Sequence, residues 1–307
     1  MCIADDSGAG DRACSAGRKG SGVSEAVTGL SGDPAEAGPF RFRAALAGFA
    51  MVLGLAGQML PANAQRSTSG ADMPVVLELY TSQGCAACPP ADEMLAALAP
   101  RDDVIAMSLH VDYWDYIGWA DPFADPEHGE RQKRYARRHG FNTVYTPQVV
   151  IDGVELLEGF RVMQIMELIE ARRARPAEFS LELSWDGESV LQIEAAALDE
   201  SEALLASRAA ARPMAALATT PAEADQSAAH EVMLVHYMPH SQVEITDGEN
   251  AGRMADHANI VTSWRSIGTW DPRMPLSLSV PEESGPPLVV IIQQVGQGRI
   301  VAAARLR

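Results

Sequence analysis

Short, nearly continuous apolar runs alternate with longer runs of helical periodicity between residues 75 and 178. The apolar runs have the length and continuity of strands that are covered on both faces, and they lie at residues 75–80, 104–109, 149–151 and 154–157. Asp152-Gly153, between the last two runs, is typical of a tight hairpin turn. Apolar side chains at helical spacing predict a helix at residues 85–99. Asp125 as the N-cap, Pro126 at the first position and Gly140 just past the end predict a second at residues 126–139, and a third is expected at residues 162–174, after Gly159. The predicted order is β-α-β-α-β-β-α.

The pattern changes after residue 178, where only short strand-like runs remain, with turn residues between them. These runs lie at residues 179–185, 190–197, 232–237, 258–264, 276–280, 288–293 and 300–304. Such spacing is typical of an antiparallel, sandwich-like β domain. Residues 201–229 are rich in Ala, Pro and Glu, and we expect them to form a disordered insertion. The sequence therefore predicts an α/β domain at residues 75–178 and a β-rich domain at residues 179–307.

The first 74 residues have the composition of an export leader rather than of a folded domain. Residues 1–40 are rich in Gly, Ser and Ala without periodicity, and we expect a disordered leader. Residues 41–64 begin with a basic stretch, continue with an uncharged apolar run and end in Ala62-Asn63-Ala64, the pattern of a cleaved signal peptide. A single membrane anchor is the alternative. Cleavage leaves a polar linker, residues 65–74, and places the mature protein in the periplasm or outside the cell.

The positions of the cysteines leave one reactive pair in the mature chain. The sequence has four cysteines, and two of them, Cys2 and Cys14, lie in the predicted leader. Cys85 and Cys88 open the first predicted helix, where free amides and the helix dipole favour a thiolate. We expect Cys85 to face solvent as the nucleophile and Cys88 to be the buried resolving thiol. A static disulfide is the alternative; a zinc ribbon would need a second cysteine pair.

Two further residues are candidates for tuning these thiols. Glu78 lies on the first strand, where a buried carboxylate would relay a proton from Cys88; an exposed acid at the end of the strand is the alternative. His110 ends the second strand, at the edge that borders the cysteines. It is a candidate for steadying the thiolate or, together with both cysteines, for binding copper. The alternative for His110 is packing against Trp114.

The order of elements, with Cys-x-x-Cys at the start of the first helix, is the thioredoxin arrangement. Thr146-Pro147 precedes the third strand, where thioredoxin-like proteins have a cis-proline facing the cysteines. We therefore expect a cis bond near Cys85, with Thr146 and Pro147 binding an extended substrate. The predicted fold class is an α/β thioredoxin-like domain with a mixed central sheet, followed by the β-rich domain.

Four segments resemble a bacterial secreted family with a thioredoxin-like domain, catalogued as a domain of unknown function. They are LELYTSQGCAACPPAD at residues 77–92, HVDYWDYIGWADPF at 110–123, YTPQ at 145–148 and GENAGR at 248–253. The resemblance implies the thioredoxin-like fold with a β-rich extension, in a family without an established reaction. The extended leader and the Ala-rich insertion depart from the family pattern, and neither includes the cysteines.

The formal net charge of −17 disfavours phosphate backbones and anionic membrane surfaces as partners. The cysteine pair and the predicted signal peptide indicate an exported thiol–disulfide oxidoreductase without a cofactor, acting on a protein or small-molecule disulfide. The alternative is a non-catalytic copper-handling or protein-interaction module on the same scaffold.

Overall fold

A computed structural model describes residues 67–69, 73–159, 161–187, 189–198 and 229–307. All of them belong to one compact unit, Met59–Arg307. The predicted leader at residues 1–40 and signal peptide at residues 41–64 lie outside the described residues, as does nearly all of the predicted insertion at 201–229. No helix within the described ranges is long and apolar enough to cross a membrane.

The first half of the structure has the predicted order of strands and helices, preceded by one short strand. The elements are β1 (Ser67–Ser69), β2 (Val75–Thr81), α1 (Pro89–Leu98), β3 (Val104–His110), α2 (Pro126–Arg138), β4 (Gln148–Ile151), β5 (Glu155–Glu158) and α3 (Val162–Arg173). The Asp125 side chain caps α2 by accepting a hydrogen bond from the Glu127 amide. α1 begins at Pro89 rather than at Cys85, so the cysteines form a turn that leads into the helix.

The second half consists of strands, as predicted. They are β6 (Phe179–Trp185), β7 (Val190–Ala197), β8 (His230–Ile245), β9 (Arg253–Trp270), β10 (Leu276–Pro281), β11 (Leu288–Gln294) and β12 (Ile300–Leu306). β8 and β9 are much longer than their apolar runs, with 16 and 18 residues. Their outer ends are mostly polar and pair with each other, so hydrophobicity gives little signal there.

The described strands form two sheets. An eight-stranded mixed sheet has the order β12-β11-β8-β9-β3-β2-β4-β5, and a four-stranded antiparallel sheet has the order β1-β6-β7-β10. β9 joins β3 in parallel at Ser108 and Ile260, and the Asn259 side chain donates to the Ala106 carbonyl over 2.8 Å. The predicted boundary at residues 178/179 therefore does not separate two sheets. β3 would otherwise expose an unpaired edge, which β9 covers.

The predicted linker at residues 65–74 is also partly wrong, because Ser67–Ser69 form β1. This strand pairs antiparallel with β6, from Ser67 opposite Leu183 to Ser69 opposite Leu181. Backbone hydrogen bonds of an edge strand do not require apolar side chains, which is why a polar segment joins the sheet.

Alternation along β2 decides which side chains approach α1. Leu77 and Leu79 pack with Leu95 of α1 in one apolar cluster, whereas Val76 and Tyr80 belong to a second cluster on the opposite face. The even-numbered residues of β2, including Glu78, therefore point away from α1. A third apolar cluster lies between the four-stranded sheet and strands β8, β11 and β12.

Candidate active site

The cysteines are joined in a disulfide immediately before α1. Cys85 and Cys88 have Cα atoms 5.4 Å apart. Cys88 is the N-cap residue of α1, and the helix opens with Pro89 and Pro90, whose missing amides are not needed in a first turn. The Cys88 amide donates to the Cys85 carbonyl over 3.2 Å. The Cys88 amide is therefore already hydrogen-bonded within the cysteine turn.

Cys85 does not face solvent, contrary to the prediction from its position before the helix. Its exposed fraction is 1%, and that of Cys88 is 0%, while Ala86 and Ala87 between them are exposed. The loop that joins β8 and β9 provides the cover. Its Asn250 side chain donates to the carbonyls of Gln83 (2.8 Å) and Cys85 (3.0 Å). A distant hairpin thus buries a residue that its local sequence places at a surface.

His110 lies at the edge of the sheet that borders the cysteine turn, as predicted, and it pairs with Asp121. Its Nδ1 donates to Asp121 Oδ2 over 2.7 Å, and the Gln83 amide donates to the same oxygen over 2.8 Å. Burial alone would raise the pKa of Asp121, but the hydrogen bond and charge of His110 hold it below its ordinary value. His110 is fully buried, and its Nε2 has no hydrogen-bond partner among the described residues.

A second histidine, His257 of β9, completes the polar cluster. Its ring centroid is 4.6 Å from that of His110, and the His110 ring also packs edge-on against Phe123 at 5.4 Å. These ring contacts replace the predicted packing of His110 against Trp114. Burial, followed by the charge of His110, lowers the pKa of His257 to about 4. His257 is accordingly neutral at neutral pH.

The hydrogen-bond network fixes the tautomer of His257. Trp119 Nε1 donates to Gln83 Oε1 over 2.8 Å, so the Gln83 amide nitrogen is the atom that faces His257 Nε2 at 3.2 Å. Nε2 must accept this bond, and the proton of the neutral ring is on Nδ1. This Nδ1–H is buried and has no acceptor among the described residues.

Thr146 and Pro147 reach the same end of the fold, and the bond between them is cis, as predicted. Trp114 Nε1 donates to Thr146 Oγ1 over 2.7 Å. A Cβ atom added to Gly159 would lie 2.8 Å from Pro147 Cβ and 3.1 Å from Ala91 Cβ. Pro147 is therefore next to the first turn of α1, and only glycine fits at position 159.

Asp92, on the first turn of α1, belongs to the site although the sequence analysis did not select it as a site residue. It is nearly buried and accepts a hydrogen bond of 2.8 Å from Thr81 Oγ1. Burial raises the pKa of Asp92 to about 7, against the lowering effects of His110 and Thr81. Its spacing of four residues from Cys88, which puts both on one side of the helix, was the available signal.

Glu78 lies on the other face of the sheet, so its assignment as a proton relay for Cys88 is wrong. Its carboxylate accepts two bonds from Arg131, of 2.8 and 2.9 Å, and one each from the hydroxyls of Tyr80 and Tyr135, both of 2.8 Å. The Arg131 guanidinium also stacks 3.8 Å from the Trp264 ring centroid. This buried ion pair joins β2, α2 and β9 and has a structural role.

A pocket of about 330 Å³ lies between the start of α1 and the β8–β9 hairpin. It is lined by Ser82, Gln83, Pro89, Asp92, Glu93, Ile245, Asn250, Arg253, Met254, Ala255, Asp256 and His257. Those from the first half flank the cysteines in sequence, and the others come from the hairpin. Neither half of the chain forms this pocket alone.

The described residues contain no group of three or more His, Cys, Asp or Glu side chains arranged to hold a metal ion. His110 is engaged with Asp121 through Nδ1, and both cysteine sulfurs are in the disulfide. The predicted alternative of a copper site built from these three residues gains no support from this geometry.

Comparison with known proteins yields a family without an assigned reaction. The model of a family described as "Protein of unknown function (DUF1223)" matches residues 76–211 and 193–293. A crystal structure of protein AGR_C_4864 from Agrobacterium tumefaciens is similar, with a TM-score of 0.59 and 27% identity over 76% of this chain and 93% of that one. HBP35 of Porphyromonas gingivalis has a TM-score of 0.46 and 12% identity, over 76% of this chain and 75% of that one. No curated protein sequence matches the chain.

Proposed function

This chain belongs to the family described as "Protein of unknown function (DUF1223)", and we propose that it is an exported thiol–disulfide oxidoreductase built on a thioredoxin-like domain. The observation that carries the proposal is the Cys85–Cys88 disulfide at the start of α1, beside buried acid–base groups. A disulfide that closes so short a loop adds little stability through loop entropy, so a purely structural role gives a weak reason for it.

The thioredoxin-like assignment rests on topology. Strands β2, β3, β4 and β5 lie in the sheet order β3-β2-β4-β5, with β2 and β3 parallel and the following pairs antiparallel. α1 crosses from β2 to β3, and the cysteine turn lies at the carboxyl end of β2. This edge of a parallel pair is where α/β folds place their sites.

In the proposed reaction the reduced protein attacks a substrate disulfide through Cys85. The Cys85 thiolate forms a bond with one substrate sulfur, and the other substrate sulfur leaves as a thiolate that takes up a proton. Cys88 then loses its proton and attacks Cys85 Sγ, which releases the second substrate thiol. The protein is oxidised to the observed disulfide while the substrate gains two electrons and two protons. The reverse sequence oxidises a dithiol.

Asp92 is the proposed proton acceptor for Cys88 in this reaction. A group with a pKa of about 7 exchanges protons readily near neutral pH. Asp92 follows Cys88 by one helical turn, and its amide donates to the Cys88 carbonyl over 3.1 Å. His110 acts on Asp92 through its charge, which makes it a positioning residue rather than a catalytic one.

The test is thiol chemistry on the reduced protein, with each cysteine followed separately. We expect Cys85 to be alkylated with a pKa below about 8.5 and Cys88 to react more slowly. Cys85→Ser abolishes exchange, and Cys88→Ser accumulates a mixed disulfide at Cys85 that peptide mapping identifies. Unshifted pKa values for both thiols, or no trapped adduct in Cys88→Ser, would reject oxidoreductase activity in favour of the interaction module.

A further inference from the structure

The pocket next to the cysteine turn is lined by a positively charged and a negatively charged side chain that have no side-chain partner among the described residues. Arg253 and Glu93 line it, are exposed, and have no side-chain partner among the described residues. Asp256, by contrast, already accepts bonds from His240 (2.7 Å) and Gln242 (3.1 Å). The free charges are therefore one guanidinium from the hairpin and one carboxylate from α1, on opposite walls.

His257 adds a buried donor on the hairpin side. It is 2% exposed, lines the same pocket, and has the Nδ1–H without an acceptor among the described residues. A buried donor that lacks a partner costs free energy, on the order of 1–3 kcal/mol. Solvent does not reach this Nδ1, however, so Arg253 is the group of the hairpin wall that favours a carboxylate.

The opposite wall favours a cation. Glu93 is joined there by Asp92, whose pKa of about 7 lets it ionise when a positive group approaches. A ligand with a carboxylate at one end and an ammonium at the other satisfies both walls. The volume of about 330 Å³ is at the lower end of the range for small-molecule sites.

The position of the pocket relates it to the cysteines. Gln83 precedes Cys85 by two residues and Pro89 follows Cys88 directly, and both line the pocket. Asn250 lines it as well and bonds to the Cys85 carbonyl. Both cysteines are buried and neither lines the pocket, so exchange requires the cysteine turn to open locally, and a small disulfide needs a smaller opening than a folded protein. These features favour a small substrate over a protein.

We propose that the substrate of this site is a small zwitterionic, amino-acid-like thiol or its disulfide, bound in the pocket between α1 and the β8–β9 hairpin. This inference rests on the thiol–disulfide exchange proposed above and specifies its substrate class. Arg253 holds the carboxylate, and Glu93 with Asp92 holds the ammonium group. In the reaction one molecule of disulfide is reduced to two thiols while the Cys85 and Cys88 thiols become the protein disulfide.

The experiment is a single-turnover oxidation of the reduced full chain by five disulfides. They are L-cystine, which carries both charges, cystamine (ammonium groups only), 3,3′-dithiodipropionate (carboxylates only), neutral 2-hydroxyethyl disulfide, and insulin as a protein disulfide. Each rate is divided by the rate at which dithiothreitol reacts with the same compound, because leaving-group pKa values differ. We expect the normalised rate for L-cystine to exceed each of the others by about tenfold.

Charge variants test the binding assignment. Arg253→Gln is expected to lower the rates with L-cystine and dithiodipropionate about tenfold and to leave cystamine and 2-hydroxyethyl disulfide unchanged. Glu93→Gln is expected to slow L-cystine and cystamine only. Arg137→Gln and Glu167→Gln remove the same charges from exposed positions outside the pocket and are expected to change none of the rates.

Three results would overturn the substrate class: equal normalised rates for all small disulfides, insulin as the fastest substrate, or Arg253→Gln matching Arg137→Gln. Failure of the proposed function gives a different result. In that case none of the five disulfides oxidises the reduced protein, although all of them react with dithiothreitol.

Discussion

Asn250 and Cys85 are 165 positions apart in sequence, and the Asn250 side-chain amide donates a 3.0 Å hydrogen bond to the Cys85 carbonyl. The same amide nitrogen donates to the backbone carbonyl of Gln83. The loop is also held at Gly248, where a Cβ atom would lie 3.2 Å from Trp119 Cβ. The site of the cysteines is thus closed by a hairpin from the second half of the chain.

Asn250→Ala is expected to open this cover. The substitution removes both hydrogen bonds, each worth about 1 kcal/mol, so local opening becomes more frequent. Reduction of the Cys85–Cys88 disulfide by dithiothreitol should accelerate about tenfold, measured as the loss of the disulfide by mass spectrometry. Glu249→Ala, at an exposed position in the same loop, is the matched control. Equal rates for the two variants would show that Asn250 does not control access.

Asp92→Asn is expected to remove a pH dependence of stability. The pKa of Asp92 rises from 3.8 unfolded to about 7 folded, so the folded state favours the protonated acid. The stabilisation that comes from the raised pKa of Asp92 is complete below about pH 4 and is lost as pH rises through about 7. The free energy of unfolding changes by about 4 kcal/mol in total. The asparagine variant should gain stability relative to the native protein over this range, measured by urea unfolding. A difference between the two that stays constant from pH 4 to 8 would contradict the assignment, and Glu167→Gln is the exposed control.

Glu78→Gln tests the structural role of the buried ion pair. It leaves the Arg131 charge buried without its partner, which should lower the free energy of unfolding by about 3 kcal/mol. The pH dependence of Cys85 alkylation should not change, since Glu78 is on the face of the sheet away from α1. A shifted alkylation profile without loss of stability would restore Glu78 as a relay. The double variant Glu78→Leu with Arg131→Met should recover part of the stability.

His110→Asn is expected to raise the pKa of Asp92 further above 7. The charge of His110 is the largest of the effects that lower the pKa of this carboxyl, and its removal leaves burial less opposed. Carboxylate NMR of selectively labelled protein reads the pKa directly. His139→Asn, at the exposed end of α2, should leave the pKa of Asp92 unchanged. A pKa of Asp92 that is the same in both variants would exclude His110 as a positioning residue.

Export predicts a mature chain that begins at Gln65, outside the described residues. Ala62-Asn63-Ala64 is the proposed cleavage pattern. N-terminal sequencing of material recovered from the periplasm or medium should give Gln65-Arg66-Ser67. Recovery of the intact chain in the membrane fraction would instead indicate an anchor.

The sequence by itself determined the local elements, because they depend on contacts between near neighbours. Apolar patterns located the strands and α1 of the first half, and Asp125 with Pro126 marked the start of α2 as the structure has it. Cys85 and Cys88 could be paired in advance because three positions at a helix start are within disulfide reach.

Only the tertiary structure decided what surrounds those cysteines. Whether Glu78 faces α1 depends on the pleat of β2 within the assembled sheet, and whether Cys85 is exposed depends on Asn250, far away in sequence. The outer ends of β8 and β9 are polar, so their hydrophobic pattern does not show that they extend over α1. The sequence marked residues 248–253, which include Arg253, only through the resemblance of the GENAGR segment, and nothing in it placed Arg253 or His257 beside the cysteines. Long-range burial and pairing are set by the packing of the whole sheet, which no local window of sequence contains.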